Sequence, residues 1–240
     1  SRKIDRLFGV IKRIKKPKFL ILKYSNCMSD HKIIRTEDLE QMETRYRASF
    51  VNSLGGFKSV VLIGTKNKDG QENLAIFNSL IHIGANPALC AFIVRPDVSP
   101  RHTLENIIET GFYTINHLNF DIYKSAHQTS ARYPRESSEF EATGLKTEYL
   151  SGFFPPFVAE SNVKFGCEFV QRINIELNGT SLIIGKIVEI SVPENCILED
   201  GFVDLEKAGS LTVSGLDSYH ATSRIARLSY AKPNKFSEEI

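Results

Sequence analysis

The spacing of apolar positions changes along the chain, and each change marks an element. Ile4, Leu7, Phe8, Ile11 and Ile14 fall at helical spacing, with Arg6, Lys12, Arg13, Lys15 and Lys16 on the other face. That pattern predicts a basic amphipathic helix within an extension over residues 1–44. Such a helix either lies on an anionic membrane surface or packs on the rest of the chain or on a partner subunit; the packing role is the expected one. From Thr36 to Arg47 the pattern is charged and helix-permissive, with Leu39, Met42 and Tyr46 in step, until Gly55-Gly56 breaks it. Ser59 to Thr65 is β-branched and apolar, as a buried strand should be, and Asp69-Gly70 predicts the hairpin that follows.

The stretch from Asn73 to Pro96 reads as a strand, a turn and a second strand leading into a helix. Either Ser99, with Pro100 behind it, or Thr103 is placed to cap that helix. Leu104, Ile107 and Ile108 form its inward stripe, and Gly111 ends it. A second helix is predicted over Asp121 to Arg132, ended by Pro134, and residues 135–160 are too interrupted for a central strand. Residues 165–177 and 180–192, rich in β-branched and aromatic side chains, flank Asn178-Gly179 and predict a long hairpin. Antiparallel strands joined by hairpins, with helices outside, imply a mainly β fold with peripheral helices, closed as a barrel.

Composition narrows the function. With 30 basic and 28 acidic residues the net charge is +2, so nothing global favours nucleic acid. No apolar run is long enough to span a membrane, and the N-terminus lacks the continuous apolar stretch of a signal peptide. Cys27, Cys90, Cys167 and Cys196 are scattered, which suits reduced thiols in a cytoplasmic protein. The histidines show no metal-ligand spacing, no G-x-S-x-G presents a nucleophile, and no G-x-G-x-x-G offers a Rossmann route to a cofactor.

The helix start is the candidate site. A helix N-terminus presents open N–H groups and the positive end of a dipole. Arg101, His102 and Thr103 sit in or beside the first turn and suit a phosphate. Arg101 otherwise opposes the dipole, which favours an anionic ligand there; Thr103 is equally readable as a plain cap, and His102 as outward-pointing. Asn73, Asn78 and Ser79, among apolar neighbours, offer amide and hydroxyl groups to a flat ring. Phosphate at one end and a heterocycle at the other describe a nucleotide or a flavin mononucleotide (FMN).

Those residues carry a resemblance. The run from Asn73 to Gly111 resembles the flavin reductase-like, FMN-binding split-barrel family, whose pattern is N-x-A-x-x-S, then N-P-P-L, R-P and K-D-T-L-x-N-I. Here stand Asn73, Ala75 and Asn78; Asn86, Pro87 and Leu89; Arg95 and Pro96; then Arg101, His102, Thr103, Leu104, Asn106 and Ile107. Asn78 replaces the usual Ser and His102 the usual Asp. The likeness extends over about residues 45–232, since GLDSYHATSRIARLSYAKP fits the family's C-terminal flavin-proximal segment.

The resemblance implies a split barrel over residues 45–240 that binds FMN, rather than FAD, at Asn73, Ala75, Ile76, Phe77, Asn78, Ser79, Leu80, Arg95, Arg101, His102 and Thr103. It places the Gly-containing loop of Asn52, Ser53, Phe57 and Lys58 near the flavin ring. Tyr219 and His220 it places by the flavin face or the nicotinamide. It implies a homodimer that transfers a hydride from NADH or NADPH to flavin N5, with no catalytic side chain required. Two other readings stay open: a non-catalytic FMN-binding or redox-sensing module, and an oxygen-using flavoprotein whose 135–160 excursion shapes a pocket for a small organic substrate.

Overall fold

The structure, a computed structural model, describes residues 31–96 and 100–240. The basic amphipathic stretch and Ser99 lie outside the described residues. The chain divides into two units, residues 1–42 and 43–240. In the first, α1 (Thr36–Gln41) opens with the Arg35 amide donating to Asp38 Oδ2 at 2.8 Å. The second begins with α2 (Thr44–Leu54), whose Glu43 cap accepts from the amides of Arg45 and Tyr46. The continuous helical pattern read through Arg47 is thus interrupted: Glu43 caps a new helix instead of continuing the old one. The new helix runs to Leu54, so Asn52 and Ser53 belong to its last turn and not to a loop. Their side chains donate back to the carbonyls of Ala48 and Ser49, both at 2.8 Å.

Next come β1 (Lys58–Ser59), β2 (Val61–Lys66), β3 (Glu72–Phe77), β4 (Ile81–Ala85), β5 (Ala88–Val94), α3 (His102–Thr110) and β6 (Phe112–His117). After them follow α4 (Tyr123–Gln128), α5 (Glu139–Thr143), β7 (Thr147–Glu148) and β8 (Phe157–Val158). The long β9 (Lys164–Ile175) and β10 (Thr180–Ser191), a 3-10 turn at Glu194–Cys196, β11 (Thr212–Ser214) and β12 (Ser218–His220) complete the chain. Residues 73–96 therefore hold three strands where two were predicted. The extra one, β4, is a short edge strand with Ile81 and Ile83 exposed, so it lacks the burial pattern that marks a strand in sequence. The helix predicted over Asp121–Arg132 is shorter. Asn119 Oδ1 accepts from the amides of Asp121 and Ile122 before it, and Thr129 Oγ1 donates to Ala126 O at its end.

One antiparallel sheet of seven strands runs β3-β2-β6-β9-β10-β5-β4, and a smaller one runs β1-β11-β12. The large sheet curls until its far strands meet by side chains. Phe77 of β3 and Phe92 of β5 pack edge to face at 5.0 Å, and Ser79 Oγ accepts from Ile93 N at 3.0 Å. Inside the curl lies a core of Val61, Ile63, Phe92, Leu104, Ile107, Tyr113, Ile115 and Ile183. A second core on the other face of β2 and β3 joins Val60, Leu62 and Leu74 to Ile122, Phe140, Val158 and Val213. Because β2 is covered on both faces it reads as an unbroken apolar run rather than an alternation. Helix α3 turns Leu104 and Ile107 inward and ends on Gly111 in the left-handed conformation (φ 79°). Ile108, predicted inward, is 51% exposed: the inward face follows the three-residue step from Leu104 and leaves it on the flank. Among the described residues no helix is long and apolar enough to cross a membrane, and no three potential metal ligands cluster.

Gly185 in β10 lets the core close. Tyr113 lies over it, and a Cβ there would fall 1.9 Å from Tyr113 Oη. Gly185→Ala should cost about 1–3 kcal/mol or more by overpacking, read as a lowered urea midpoint. Tyr113 Oη has no hydrogen-bond partner among the described residues. Tyr113→Phe should therefore cost little alone and recover part of the Gly185→Ala loss in the double variant.

Candidate functional site

A cleft of about 1090 Å³ opens along β3. Asn73 and Ala75–Ser79 form one wall, and Ile93–Arg95 with Pro100–Glu105 close one end. The segment Thr129–Arg135, His127 and Glu139 form another wall, with Val213, Leu216, Asp217 and Tyr219 beside it.

The end at α3 gathers unpaired backbone donors and a guanidinium. Thr103 does not cap the helix; Arg101 occupies the cap position without a side-chain bond to the helix. The first helical hydrogen bond, Glu105 N–H to Arg101 O at 2.9 Å, leaves the amides of His102, Thr103 and Leu104 without an intrahelical partner. The Arg101 guanidinium donates from Nε and Nη2 to Pro96 O at 3.2 and 3.0 Å, which holds the fork beside the helix start and leaves Nη1. Burial first, then the Arg135 charge, lowers the pKa of His102, so the imidazole is neutral at pH 7. Arg135 is itself paired with Glu105.

Thr103 has another task. It is buried, and its Oγ1 accepts from Asn73 Nδ2 at 3.0 Å. The same nitrogen donates to Thr65 Oγ1 at 3.2 Å, and Asn106 Nδ2 donates to that oxygen at 3.1 Å. The Asn73 amide nitrogen is thus committed to positioning α3 against β2 and β3. The groups of β3 left open along the cleft are instead on its backbone. As an edge strand it has one unpaired side, where Leu74 N–H donates to Glu139 Oε2 at 3.0 Å. Ile76, two residues on, presents its N–H and C=O in the same direction, along the cleft.

Asn78 and Ser79 line the cleft but are also tied. Asn78 Nδ2 donates to Gly215 O at 3.0 Å, and the Ser79 hydroxyl is engaged by Ile93. Asn52, Ser53, Phe57, Lys58, Leu80 and His220 do not line it. Leu80 packs on the inner core. Lys58 Nζ donates to Asn52 O at 3.3 Å and Gly215 O at 3.1 Å, and Ser53 lies beside the same glycine. His220 Nε2 bonds Ser214 Oγ at 2.9 Å, with Phe57 set edge-on against its ring at 4.8 Å. These residues support the β11–β12 turn from behind.

Tyr219 and His220 are neighbours in sequence but point to opposite faces of β12, as alternation in a strand requires. The imidazole that meets Tyr219 is His127, whose Nδ1 lies 2.8 Å from Tyr219 Oη. Tyr123 packs against the other side of the phenol at 5.6 Å. His127 and the wall Thr129–Pro134 were not expected at the site from the sequence; Arg135 and Glu139 fall in the 135–160 excursion, to which one of the open readings gave a pocket-shaping role. Irregular chain carries no period; only the density of hydroxyls and arginines in HQTSARYPRE marks it.

A family model described as flavin reductase like domain matches residues 54–205. Among solved structures, a split-barrel-domain protein of flavin reductase type from Shewanella frigidimarina NCIMB 400 superposes with a TM-score of 0.81 at 51% identity. That match covers 84% of this chain and 100% of the other. Nitrilotriacetate monooxygenase component B from Bacillus cereus gives 0.73 at 20% identity, over 83% of this chain and 100% of that one. Flavoredoxin of Desulfovibrio vulgaris (Miyazaki F) gives 0.62 at 20%, over 75% and 92%. The last two show the fold alone. The curled, laterally open sheet is a split barrel, as the sequence led us to expect.

Glu139 titrates in a way that can be tested without any ligand. Burial raises its pKa above the ordinary 4.5, and the Leu74 amide only partly opposes this. The folded state therefore holds that proton to higher pH than the unfolded chain, and stability falls as pH rises from about 4.5 through the raised value. Glu139→Gln keeps an acceptor for Leu74 and removes the titration. Urea midpoints measured across pH should show the wild type losing ground to the variant through that window and no further above it.

Proposed function

The chain belongs to the flavin reductase like family, and from that premise we propose that it binds FMN non-covalently in the cleft and reduces it with NADH or NADPH. One observation carries the reading: a single cavity joins an open helix N-terminus bearing Arg101 to an unpaired strand edge at Ile76. The amides of α3 and Arg101 Nη1 would hold the phosphate, with neutral His102 donating one N–H. The N–H and C=O of Ile76 would meet the amide edge of the ring. A terminal phosphate suits this end without room for adenosine, which favours FMN over FAD. When bound, the flavin supplies the centre that accepts and passes on a hydride.

The cavity also favours a reactive site over a closed store. At about 1090 Å³ it exceeds the volume a single drug-sized ligand needs, so a nicotinamide or a second acceptor has space beside the flavin. The proposed state in solution is a homodimer. β9 and β10 expose Val170, Ile173, Val188 and Ile190, apolar side chains that a partner subunit would cover. Light scattering should then give twice the chain mass of 27.0 kDa.

Arg101→Ala should weaken FMN binding by about 1.5–3 kcal/mol, the value of a charge-assisted hydrogen bond, or roughly ten- to a hundredfold in Kd. Riboflavin, lacking the phosphate, should be nearly indifferent; equal losses would remove Arg101 from the phosphate site. The FMN-loaded wild type should bleach within seconds under excess anaerobic NADH or NADPH. Flavin that stays oxidised for many minutes would leave a binding module in place of a reductase.

A further inference from the structure

The cleft carries more positive charge than a flavin phosphate uses. Arg95, Arg101, Arg132 and Arg135 all line it. Arg101 is tethered to Pro96 O beside the start of α3, and Arg95 stands at that same end. Arg135 is neutralised by Glu105. Arg132 is on a different wall, in the irregular chain after α4, where it is exposed and makes no hydrogen bond or ion pair among the described residues. Nothing near it in the chain offsets the charge, because the segment Thr129–Arg135 holds no carboxylate. The other acids of the cleft are placed elsewhere: Glu139 under the Leu74 amide, and Asp217 in the turn between β11 and β12.

The neighbours of Arg132 narrow the anion it would take. Ser130, two residues before it, brings an exposed hydroxyl to the same wall. Tyr133, next in the chain, is half-buried there, and its Oη accepts from Gln128 Nε2 at 3.1 Å, which holds the ring in place. A guanidinium fork matches phosphate oxygens, a hydroxyl adds a donor, and an aromatic ring is a surface on which a purine stacks. A phosphorylated adenosine has all three counterparts. The two nicotinamide coenzymes differ in one such group, since NADPH carries a phosphate on the adenosine ribose where NADH has a 2′-hydroxyl. Sites for the hydroxyl offer a carboxylate, and sites for the phosphate offer an arginine. This wall has the arginine and lacks the acid. We propose that Ser130, Arg132 and Tyr133 bind the 2′-phosphoadenosine end of NADPH, with Arg132 the residue that selects NADPH over NADH. This rests on the flavin reductase reading and names its reductant. Arg132 meets the phosphate and not the reacting ring, so it acts on affinity and leaves the rate of hydride transfer to the flavin alone.

The test follows flavin absorbance in FMN-loaded protein mixed anaerobically with NADPH or with NADH over a range of concentrations. Wild type should show a Kd for NADPH roughly ten- to a hundredfold below that for NADH, as one charge-assisted bond provides, with similar limiting rates. Arg132→Gln, an exposed change that keeps a polar side chain, should bring the NADPH Kd up to that of NADH. Calorimetry supplies a readout free of redox chemistry. Adenosine 2′,5′-bisphosphate should bind wild type more tightly than AMP, and the variant should lose that difference.

Flavin that does not bind, or that stays oxidised with both coenzymes, would sink the reductase reading, while the calorimetric comparison still tests Arg132 by itself. Normal flavin reduction with equal Kd values for the two coenzymes would overturn this inference alone. So would an Arg132→Gln variant that keeps the wild-type preference, or one that weakens NADH and NADPH by the same factor. Weaker FMN binding in that variant would put Arg132 on the flavin phosphate and overturn it too.

Discussion

The site depends on one hydroxyl. Thr65 Oγ1, fully buried in β2, receives the amide nitrogens of Asn73 from β3 and of Asn106 from α3, and Asn73 passes its second N–H to Thr103. Each group is out of water, so each lost partner would leave a donor or acceptor unsatisfied at a cost of about 1–3 kcal/mol. Bonds that share an atom in a low-dielectric interior also strengthen one another. The start of α3 is therefore fixed relative to the β2–β3 hairpin by bonds with direction, where apolar packing alone would let the helix slide. Arg101 and the open amides of its first turn inherit that placement.

A similar use of side chains governs the curl of the sheet. Strands β3 and β4 end the hydrogen-bonded order, yet the sheet does not splay, because Phe77 packs on Phe92 and Ser79 joins Ile93 across the gap. The barrel is thus closed by side chains on one line. That leaves the outer edge of β3 unpaired beyond Leu74, and the cleft runs along it. An opening that would weaken a closed barrel is what gives this one a groove with backbone donors and acceptors.

Much of this was legible in the sequence, for identifiable reasons. The buried strand at Ser59–Thr65 and the long hairpin around Asn178-Gly179 announce themselves because core burial demands β-branched runs and tight turns demand glycine. The end of α3 at Gly111 is legible because only glycine takes that conformation cheaply. Short exposed elements were not: β4 is held in place by ladder bonds, which leave no side-chain pattern. Thr103 shows how a residue type with two uses misleads, since a threonine at a helix start caps in most contexts and here accepts a buried amide instead. Pairings across long separations, Tyr219 with His127 and Leu74 with Glu139, carry no local signal. The resemblance located the cleft-lining strand and helix, but several residues it marked serve one step back, around Gly215.

That glycine has a thermal consequence. Its carbonyl receives both Lys58 Nζ and Asn78 Nδ2, and these bonds hold the turn between β11 and β12, two strands of three residues each outside the main sheet. Val213 and Tyr219 on either side pack on the second core, whereas the turn itself, exposed at Leu216, Asp217 and Ser218, is held by a few polar contacts, one of them from a half-exposed lysine. Regions with few buried apolar contacts open locally well below the global transition. Warming the protein would loosen this turn, and with it the cleft wall at Leu216 and Asp217, while the barrel is still intact.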